Sequence, residues 1–143
     1  DSFSGLAKLD GFRAGMKAAG LECRPYSILK TESGIAGGEK TLEQLEAVNA
    51  SCRAIVASED ILAAGVLKAL ERRGKKVPED VAVFGYNDSV IARCTSPGLS
   101  SVDNKVGALA KAAANILCWV LHGEKIPPHH TIVPELVFRQ SCP

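Results

Sequence analysis

The sequence predicts an α/β fold in which a parallel sheet is doubly wound, with helices on both faces. Short, continuously apolar runs at residues 54–57 and 81–84 are typical of parallel strands that are covered on both sides. Segments with apolar residues three and four positions apart, which is typical of helices, flank these runs. Since strands and helices alternate along all 143 residues, we expect βαβ crossovers within one domain.

Residues that favour caps and turns separate the predicted elements. Gly20 and Gly123 are expected to end helices, Ser58 and Asp103 to begin them, and Pro134 to place the last strand at an edge. The predicted order is a helix over residues 6–19, a strand over 24–29, a loop over 30–38, a helix over 42–49, a strand over 54–57, a helix containing 62–70, strands over 81–84 and 99–102, a helix over 103–122 and a strand over 132–137.

Composition restricts the classes of protein to which the chain can belong. A net charge of +1 gives no broad positive field, which argues against DNA binding by this segment itself. Five irregularly spaced cysteines without a CxxC pair predict reduced thiols in a cytoplasmic protein. No apolar run approaches the roughly 20 residues of a membrane span, so no membrane partner is expected. The chain begins without Met and without a signal peptide, which suggests a fragment or processed product.

Four polar segments follow the predicted strands, at residues 30–33, 58–60, 87–88 and 103–104. In open α/β sheets, ligands bind beyond the carboxyl ends of the strands. We therefore expect these segments to surround a polar small molecule such as a polyol. A purely structural role, as a helix cap or a turn residue, stays open for each of these side chains.

Catalytic and metal-binding motifs are missing from the sequence. It contains no GxSxG, no phosphate-binding GxxxxGKS/T loop and no GxGxxG after a strand. His129 and His130 lack partners at metal-ligand spacing, and no His near Cys94 in sequence could activate its thiol. The basic run at residues 72–76 fits the negative end of a helix dipole. We therefore expect neither an enzyme, nor a cofactor, nor a metal site.

The chain resembles the lac and gal repressor family most clearly at residues 77–88, which read Val-Pro-Glu-Asp-Val-Ala-Val-Phe-Gly-Tyr-Asn-Asp. Four other segments resemble the family in the same order along the chain. These are Leu-Asp-Gly-Phe at 9–12, Glu-Asp-Ile-Leu-Ala-Ala-Gly at 59–65, Pro-Gly-Leu-Ser-Ser-Val at 97–102 and Pro-Glu-Leu-Val-Phe-Arg-Gln-Ser at 134–141. The resemblance covers essentially the whole chain.

This resemblance implies a periplasmic-binding-protein-like core, of which the chain would be the C-terminal part. A small-molecule effector, with sugars as the leading class, would bind there, the protein would be a homodimer, and operator DNA would be contacted only through a missing N-terminal helix-turn-helix. A crossover helix within 103–123 would pack in the first lobe, so we expect its apolar stripe to associate with another chain or with that lobe. A periplasmic sugar-binding protein is the alternative, and fold alone does not exclude an enzyme.

The resemblance and the strand-end segments together give a predicted site. Lys8 replaces an arginine fork with one ammonium group, and Glu59 replaces an amide with an acceptor-only carboxylate, so the identity of the effector stays open. The predicted ligand-binding residues are Ser4, Lys8, Ser33, Glu59, Asp60, Asn87, Asp88 and Asn104. The predicted dimer-interface residues are Ala64, Leu67, Lys68, Ile91, Cys94 and Thr95, with a core position as the alternative for Leu67.

Overall fold

The computed structural model of the chain describes residues 3–48, 50–126 and 129–143. Helices and strands alternate along most of this length. Their order is α1 (Phe3–Ala18), a 3-10 turn (Pro25–Ser27), α2 (Ile35–Ala47), β1 (Ala54–Val56), α3 (Asp60–Arg72), β2 (Ala82–Phe84), α4 (Val90–Cys94), β3 (Ser101–Asp103), α5 (Val106–Leu121) and β4 (Glu135–Val137).

The described strands form two two-stranded sheets, β1 with β2 and β3 with β4. Strands β1 and β2 are parallel, and a parallel bridge between Phe84 and Ser100 continues the pairing toward β3. Strand β4 is antiparallel to β3, with Val102 opposite Leu136. The predicted α/β class is confirmed, and the last strand differs from the parallel pattern because the chain returns along β3 after α5.

The core lies where α3 packs against α2, α4 and β2. Helices α2 and α3 cross at Gly38 and Gly65, and a Cβ added to Gly38 would collide with the carbonyl oxygen of Leu62 and lie 2.9 Å from the Gly65 Cα. The two backbones therefore touch, which draws the apolar side chains beneath them together. The large apolar side chains no more than 2% exposed are Val66, Leu70, Val83 and Leu99.

The strand predicted over residues 24–29 is absent, and Pro25–Ser27 within it form the 3-10 turn. The Ser27 amide donates a hydrogen bond to the Arg24 carbonyl at 2.9 Å, and the Arg24 amide donates to Ser27 Oγ at 3.1 Å. The prediction was wrong because these local bonds use backbone groups that a β-ladder would need. The sequence pattern also missed the five-residue helix α4.

Two predicted helix boundaries also differ from the structure. Helix α2 begins at Ile35, inside the predicted loop over 30–38, because the crossing with α3 accommodates glycines there. Ser58 is not a helix cap, since Glu59 occupies the N-cap position of α3. The predicted end of the second helix at Asn49 lies outside the described residues.

Asp103 does not cap α5 but ends β3. Its Oδ1 accepts a hydrogen bond from the Lys105 amide at 2.7 Å, and Lys105, with a φ of 53°, takes the N-cap position. The Lys105 ammonium also lies 2.8 Å from Asp103 Oδ2 and 2.6 Å from Glu135 Oε2, and hydrogen bonds to these carboxylates raise the pKa of Lys105. These contacts hold Lys105, the N-cap residue, against Glu135 of β4. The helix therefore begins at Val106, later than predicted.

Helices α1 and α5 contain no buried residue. Helix α1 ends at Ala18, and Gly20, the predicted stop, follows with a φ of 68°. The Leu21 backbone amide donates to the Met16 carbonyl at 2.9 Å in the manner of a Schellman motif. None of the described helices is long and apolar enough to span a membrane. The large apolar side chains that α5 exposes are Val106, Leu109, Leu117, Val120 and Leu121. An exposed apolar surface of this kind favours contact with further protein.

Glu39 on α2 connects two cations of α3. Its Oε1 lies 2.9 Å from Lys68 Nζ, and its Oε2 lies 3.2 Å from Arg72 Nη1. The hydrogen bond from Lys68, together with the charge of Arg72, holds the pKa of the Glu39 carboxyl below its ordinary value. A carboxyl of this kind stabilises the fold above its unfolded-state pKa, and the contribution disappears as the pH falls through the lower, folded-state pKa.

We therefore expect Glu39→Gln to flatten the loss of stability below about pH 4.5, the ordinary pKa of a glutamate. Urea unfolding of wild type and variant across the acid range measures this slope. Glu43→Gln, which makes the same charge change at an exposed position of α2, is the matched control. Parallel acid slopes for wild type and Glu39→Gln would contradict the prediction.

Candidate functional site

Polar side chains meet at the carboxyl ends of β1, β2 and β3. Asn104 Nδ2 donates a hydrogen bond to Asn87 Oδ1 at 2.8 Å, and Ser33 Oγ donates to Glu59 Oε2 at 3.0 Å. These bonds join segments that are distant in sequence, and Glu59, Asn87 and Asn104 each follow a strand, as the strand-end rule predicts. Ser33 lies in the loop before α2. We call the surface that these residues form with two neighbours the strand-end face: Lys8, Ser33, Glu59, Tyr86, Asn87 and Asn104.

Lys8 connects α1 to the strand-end face. Its ammonium donates a hydrogen bond to the Ser58 carbonyl at 2.9 Å and lies 3.9 Å from the centre of the Tyr86 ring. A cation over a tyrosine face contributes about 0.5–1 kcal/mol when exposed. Sequence analysis did not include Tyr86 in the site, although its position directly before Asn87 at the end of β2 was an available signal.

The turn after β2 orients Asn87 toward solvent. Asn87 and Asp88 have positive φ angles of 107° and 46°, a conformation that asparagine and aspartate adopt more readily than most residues. The backbone amide of Asn87 donates a hydrogen bond to the Val102 carbonyl at 2.9 Å, which fixes the turn against β3. The exposed side-chain amide of Asn87 is therefore held in place by its own backbone.

Asp60 was predicted to bind the ligand, and the structure corrects this. The residue is only 1% exposed, so its carboxylate cannot reach a molecule on the strand-end face. Its Oδ1 accepts a hydrogen bond from Ser101 Oγ at 2.6 Å, and its Oδ2 accepts one from the Ser89 amide at 2.7 Å. Asp60 therefore positions the turn that carries Asn87 relative to α3 and β3.

Asp88 is also turned away from the strand-end face, contrary to the prediction. Its Oδ1 lies 2.7 Å from Arg139 Nη2, and the two side chains are only 15% and 18% exposed. Arg139 Nη1 donates to the Leu99 carbonyl at 2.7 Å, and the Asp88 amide donates to Ser101 Oγ at 3.1 Å. Asp88 therefore anchors the segment after β4. Its carboxylate pairs with Arg139 and not with a molecule on the strand-end face.

The remaining predicted residues divide by exposure. Ser4 is exposed on α1, one helical turn before Lys8 and on the same side of the helix. Leu67 is 6% exposed and belongs to the core, which favours the core position that was the alternative to a dimer interface. The other predicted interface residues retain exposed or partly exposed surface on α3 and α4: Ala64, Lys68, Ile91, Cys94 and Thr95. Their role in a dimer stays a prediction.

The strand-end face is an open surface that offers hydrogen-bond donors and acceptors. Two surface concavities of about 290 and 300 Å³ lie elsewhere, one between α5 and residues 130–132 and the other beside the end of α3. Within the described parts of the chain, no group of three or more His, Cys, Asp or Glu side chains could hold a metal ion. The chemistry that this surface supports is recognition of a polar molecule.

Comparison with known proteins identifies the family. Residues 7–142 match the family described as the periplasmic binding protein-like domain. The chain belongs to this family. An HTH-type transcriptional regulator of Lachnoclostridium phytofermentans is 33% identical over 140 residues, which are 98% of this chain and 42% of the relative.

Two solved structures are similar to this chain over nearly its whole length. One, a sugar-binding transcriptional regulator of the LacI family from Escherichia coli in complex with phosphate, is 33% identical, with a TM-score of 0.91 over 99% of this chain and 51% of that chain. The other, the transcriptional regulator CelR in complex with cellobiose, is 28% identical, with a TM-score of 0.85 over 96% of this chain and 42% of that chain. The resemblance to lac-repressor-type regulators is confirmed, and the chain spans about half the length of these proteins.

Proposed function

We propose that this chain is the effector-sensing part of a LacI-type transcriptional regulator, and that a sugar or related polar metabolite binds at the strand-end face. The observation that carries the proposal is the convergence of the Ser33–Glu59 and Asn87–Asn104 pairs at the carboxyl ends of the strands, where open α/β sheets bind ligands. The relatives support a sugar, since one is named sugar-binding and CelR is solved with cellobiose.

In this proposal the regulator acts in the cytoplasm and catalyses no reaction. It responds to its effector by a change of conformation. Effector binding closes two lobes around a hinge, and this motion changes the spacing of paired DNA-binding heads that lie outside this chain. The net charge of +1 fits a domain that does not touch the operator itself. The relatives that match the chain are named as regulators, which favours sensing over turnover.

Two surfaces of the chain fit this arrangement. The apolar side chains of α5, predicted as a crossover helix within 103–123, would be covered by the first lobe. The exposed parts of α3 and α4 would form a homodimer interface. The five residues assigned to that interface are Ala64, Lys68, Ile91, Cys94 and Thr95.

A thermal-shift screen of the full-length protein against pentoses, hexoses and disaccharides tests the proposed function. A ligand at 100 times its dissociation constant should add about 2.7 kcal/mol of stability. Asn87→Ala should weaken binding of any such ligand by about tenfold, because a neutral hydrogen bond contributes about 0.5–1.5 kcal/mol and a partner would be left unpaired.

Gln140→Ala, which removes an exposed side-chain amide away from the strand-end face, is the control and should leave the affinity unchanged. A sugar that binds wild type and Asn87→Ala equally well would place the site elsewhere. An absence of any sugar-dependent shift would contradict the proposed function.

A further inference from the structure

Glu59 is the strand-end carboxylate for which the described residues supply no cation. Its Oε2 accepts a hydrogen bond from Ser33 Oγ at 3.0 Å. Within the described residues, no lysine, arginine or histidine nitrogen lies within 4.0 Å of the Glu59 carboxylate. The residue is partly buried, so its charge is incompletely hydrated. A positively charged partner would stabilise such a group.

The other carboxylates of this region already have partners. Asp103 lies 2.8 Å from the Lys105 ammonium, and Asp88 lies 2.7 Å from the Arg139 guanidinium. Asp60 is buried and accepts hydrogen bonds from a hydroxyl and a backbone amide. Among the carboxylates of this region that the structure describes, a ligand on the strand-end face would therefore meet unused acceptor capacity at Glu59.

Neither capping of α3 nor pairing with a nearby cation accounts for the Glu59 carboxylate. Glu59 is the N-cap residue of α3, yet its side chain makes no capping hydrogen bond. The ammonium group of Lys8, which belongs to the strand-end face, is held by the Ser58 carbonyl and the Tyr86 ring. The face thus presents an acceptor-only group at Glu59 beside a donor-only group at Lys8.

We propose that Glu59 makes the strand-end face selective for an effector that carries a cationic hydrogen-bond donor, such as the ammonium group of an amino sugar. A hydroxyl of a neutral sugar can also donate to this carboxylate, but an ammonium group adds the attraction between opposite charges to that hydrogen bond. An anionic sugar, such as a sugar phosphate, would be repelled by the same group. This inference rests on the proposed function, because it names the class of effector for that site.

Titration calorimetry of the full-length protein with matched sugars tests the inference. The probes are glucose, glucosamine and glucose 6-phosphate, the corresponding galactose series, and cellobiose with its diamino counterpart. In the wild type, the best amino sugar should bind about tenfold more tightly than its neutral parent, and the phosphate should bind more weakly than the parent.

Glu59→Gln keeps the shape of the side chain and removes its charge, so the preference for the amino sugar should fall below about twofold. Glu32→Gln is the matched control, because Glu32 lies in the same loop region as Ser33 and is paired with Lys40 at 3.4 Å. The control should keep the wild-type preference. Unfolding midpoints of both variants show that the comparison is made on folded protein.

The outcomes separate this inference from the proposed function. Neutral sugars that bind the wild type as well as or better than their amino counterparts would overturn the selectivity and leave the proposed function standing. An amino-sugar preference that persists in Glu59→Gln would overturn the role of Glu59. If none of these probes bound, both the selectivity and the sugar effector would be overturned.

Discussion

Replacing Asp60 with alanine is expected to lower the free energy of unfolding by about 3 kcal/mol. The substitution removes two charge-assisted hydrogen bonds in a site that is 1% exposed, one from Ser101 Oγ and one from the Ser89 amide. Each such bond contributes about 1.5–3 kcal/mol, and the abandoned donors have no water to replace the carboxylate. Urea unfolding followed by circular dichroism measures the change.

Asp80→Ala is the matched control for Asp60. Asp80 Oδ2 accepts a hydrogen bond from the Lys76 amide at 2.8 Å, but the residue is exposed, so we expect a loss of about 1 kcal/mol or less. Asp60→Asn should fall between the two, because it keeps the shape and the bond from the Ser89 amide while losing the charge. Equal losses at Asp60 and Asp80 would show that the buried carboxylate does not hold this region together.

Asp60→Ala should also weaken effector binding. Asp60 and the Ser89 amide fix the end of the turn that carries Asn87, so the alanine variant loosens a side chain on the strand-end face without touching the ligand. We therefore expect Asp60→Ala to lose affinity for any sugar that responds to Asn87→Ala. Calorimetric titration at a temperature where the variant is folded separates this effect from instability.

Replacing Gly38 with alanine is expected to destabilise the fold by about 2 kcal/mol. The new methyl group would collide with the Leu62 carbonyl and crowd the Gly65 Cα at 2.9 Å, and both are backbone atoms that move only if the helices separate. Overpacking of this kind costs about 1–3 kcal/mol or more, and the better helix propensity of alanine offsets up to about 1 kcal/mol.

Gly15→Ala is the control for Gly38→Ala and should change the free energy of unfolding in the opposite direction. Gly15 lies inside α1, and a Cβ added there meets no atom within 4 Å. The same substitution should therefore stabilise the protein by about 0.5–1 kcal/mol through helix propensity alone. Unfolding midpoints that move in the same direction for both variants would show that the crossing of α2 and α3 does not need its glycines.

The sequence predicted most of the fold because hydrophobic periodicity is a local property. The apolar strands near residues 54–57 and 81–84, the amphipathic helix between them and the glycine stop of α1 all formed close to their expected positions. The convergence of Glu59, Asn87 and Asn104 followed from one topological rule, that parallel strands end at the same edge of a sheet. Ser33 reaches Glu59 from the loop before α2, where the predicted strand is absent.

Other features depended on contacts between residues far apart in the chain. The glycines of α2 have the composition of a loop, and only the crossing of α3 over Gly38 shows why a helix needs them there. Helix α5 begins after Lys105 rather than Asp103 because Asp103 and Glu135 hold that lysine from two strands. In each case the deciding partner lies outside the local pattern.

The sequence by itself therefore determined which segments are apolar, how they alternate and at which strand ends polar side chains collect. Only the tertiary structure decided which of those polar side chains face solvent. Asp60 and Asp88 are residue types that often bind ligands. In this fold, Ser101 and Ser89 bind the Asp60 carboxylate inside the molecule, and Arg139 binds that of Asp88. The physical reason is that a charged group is buried only where specific donors meet it, and those donors come from distant segments.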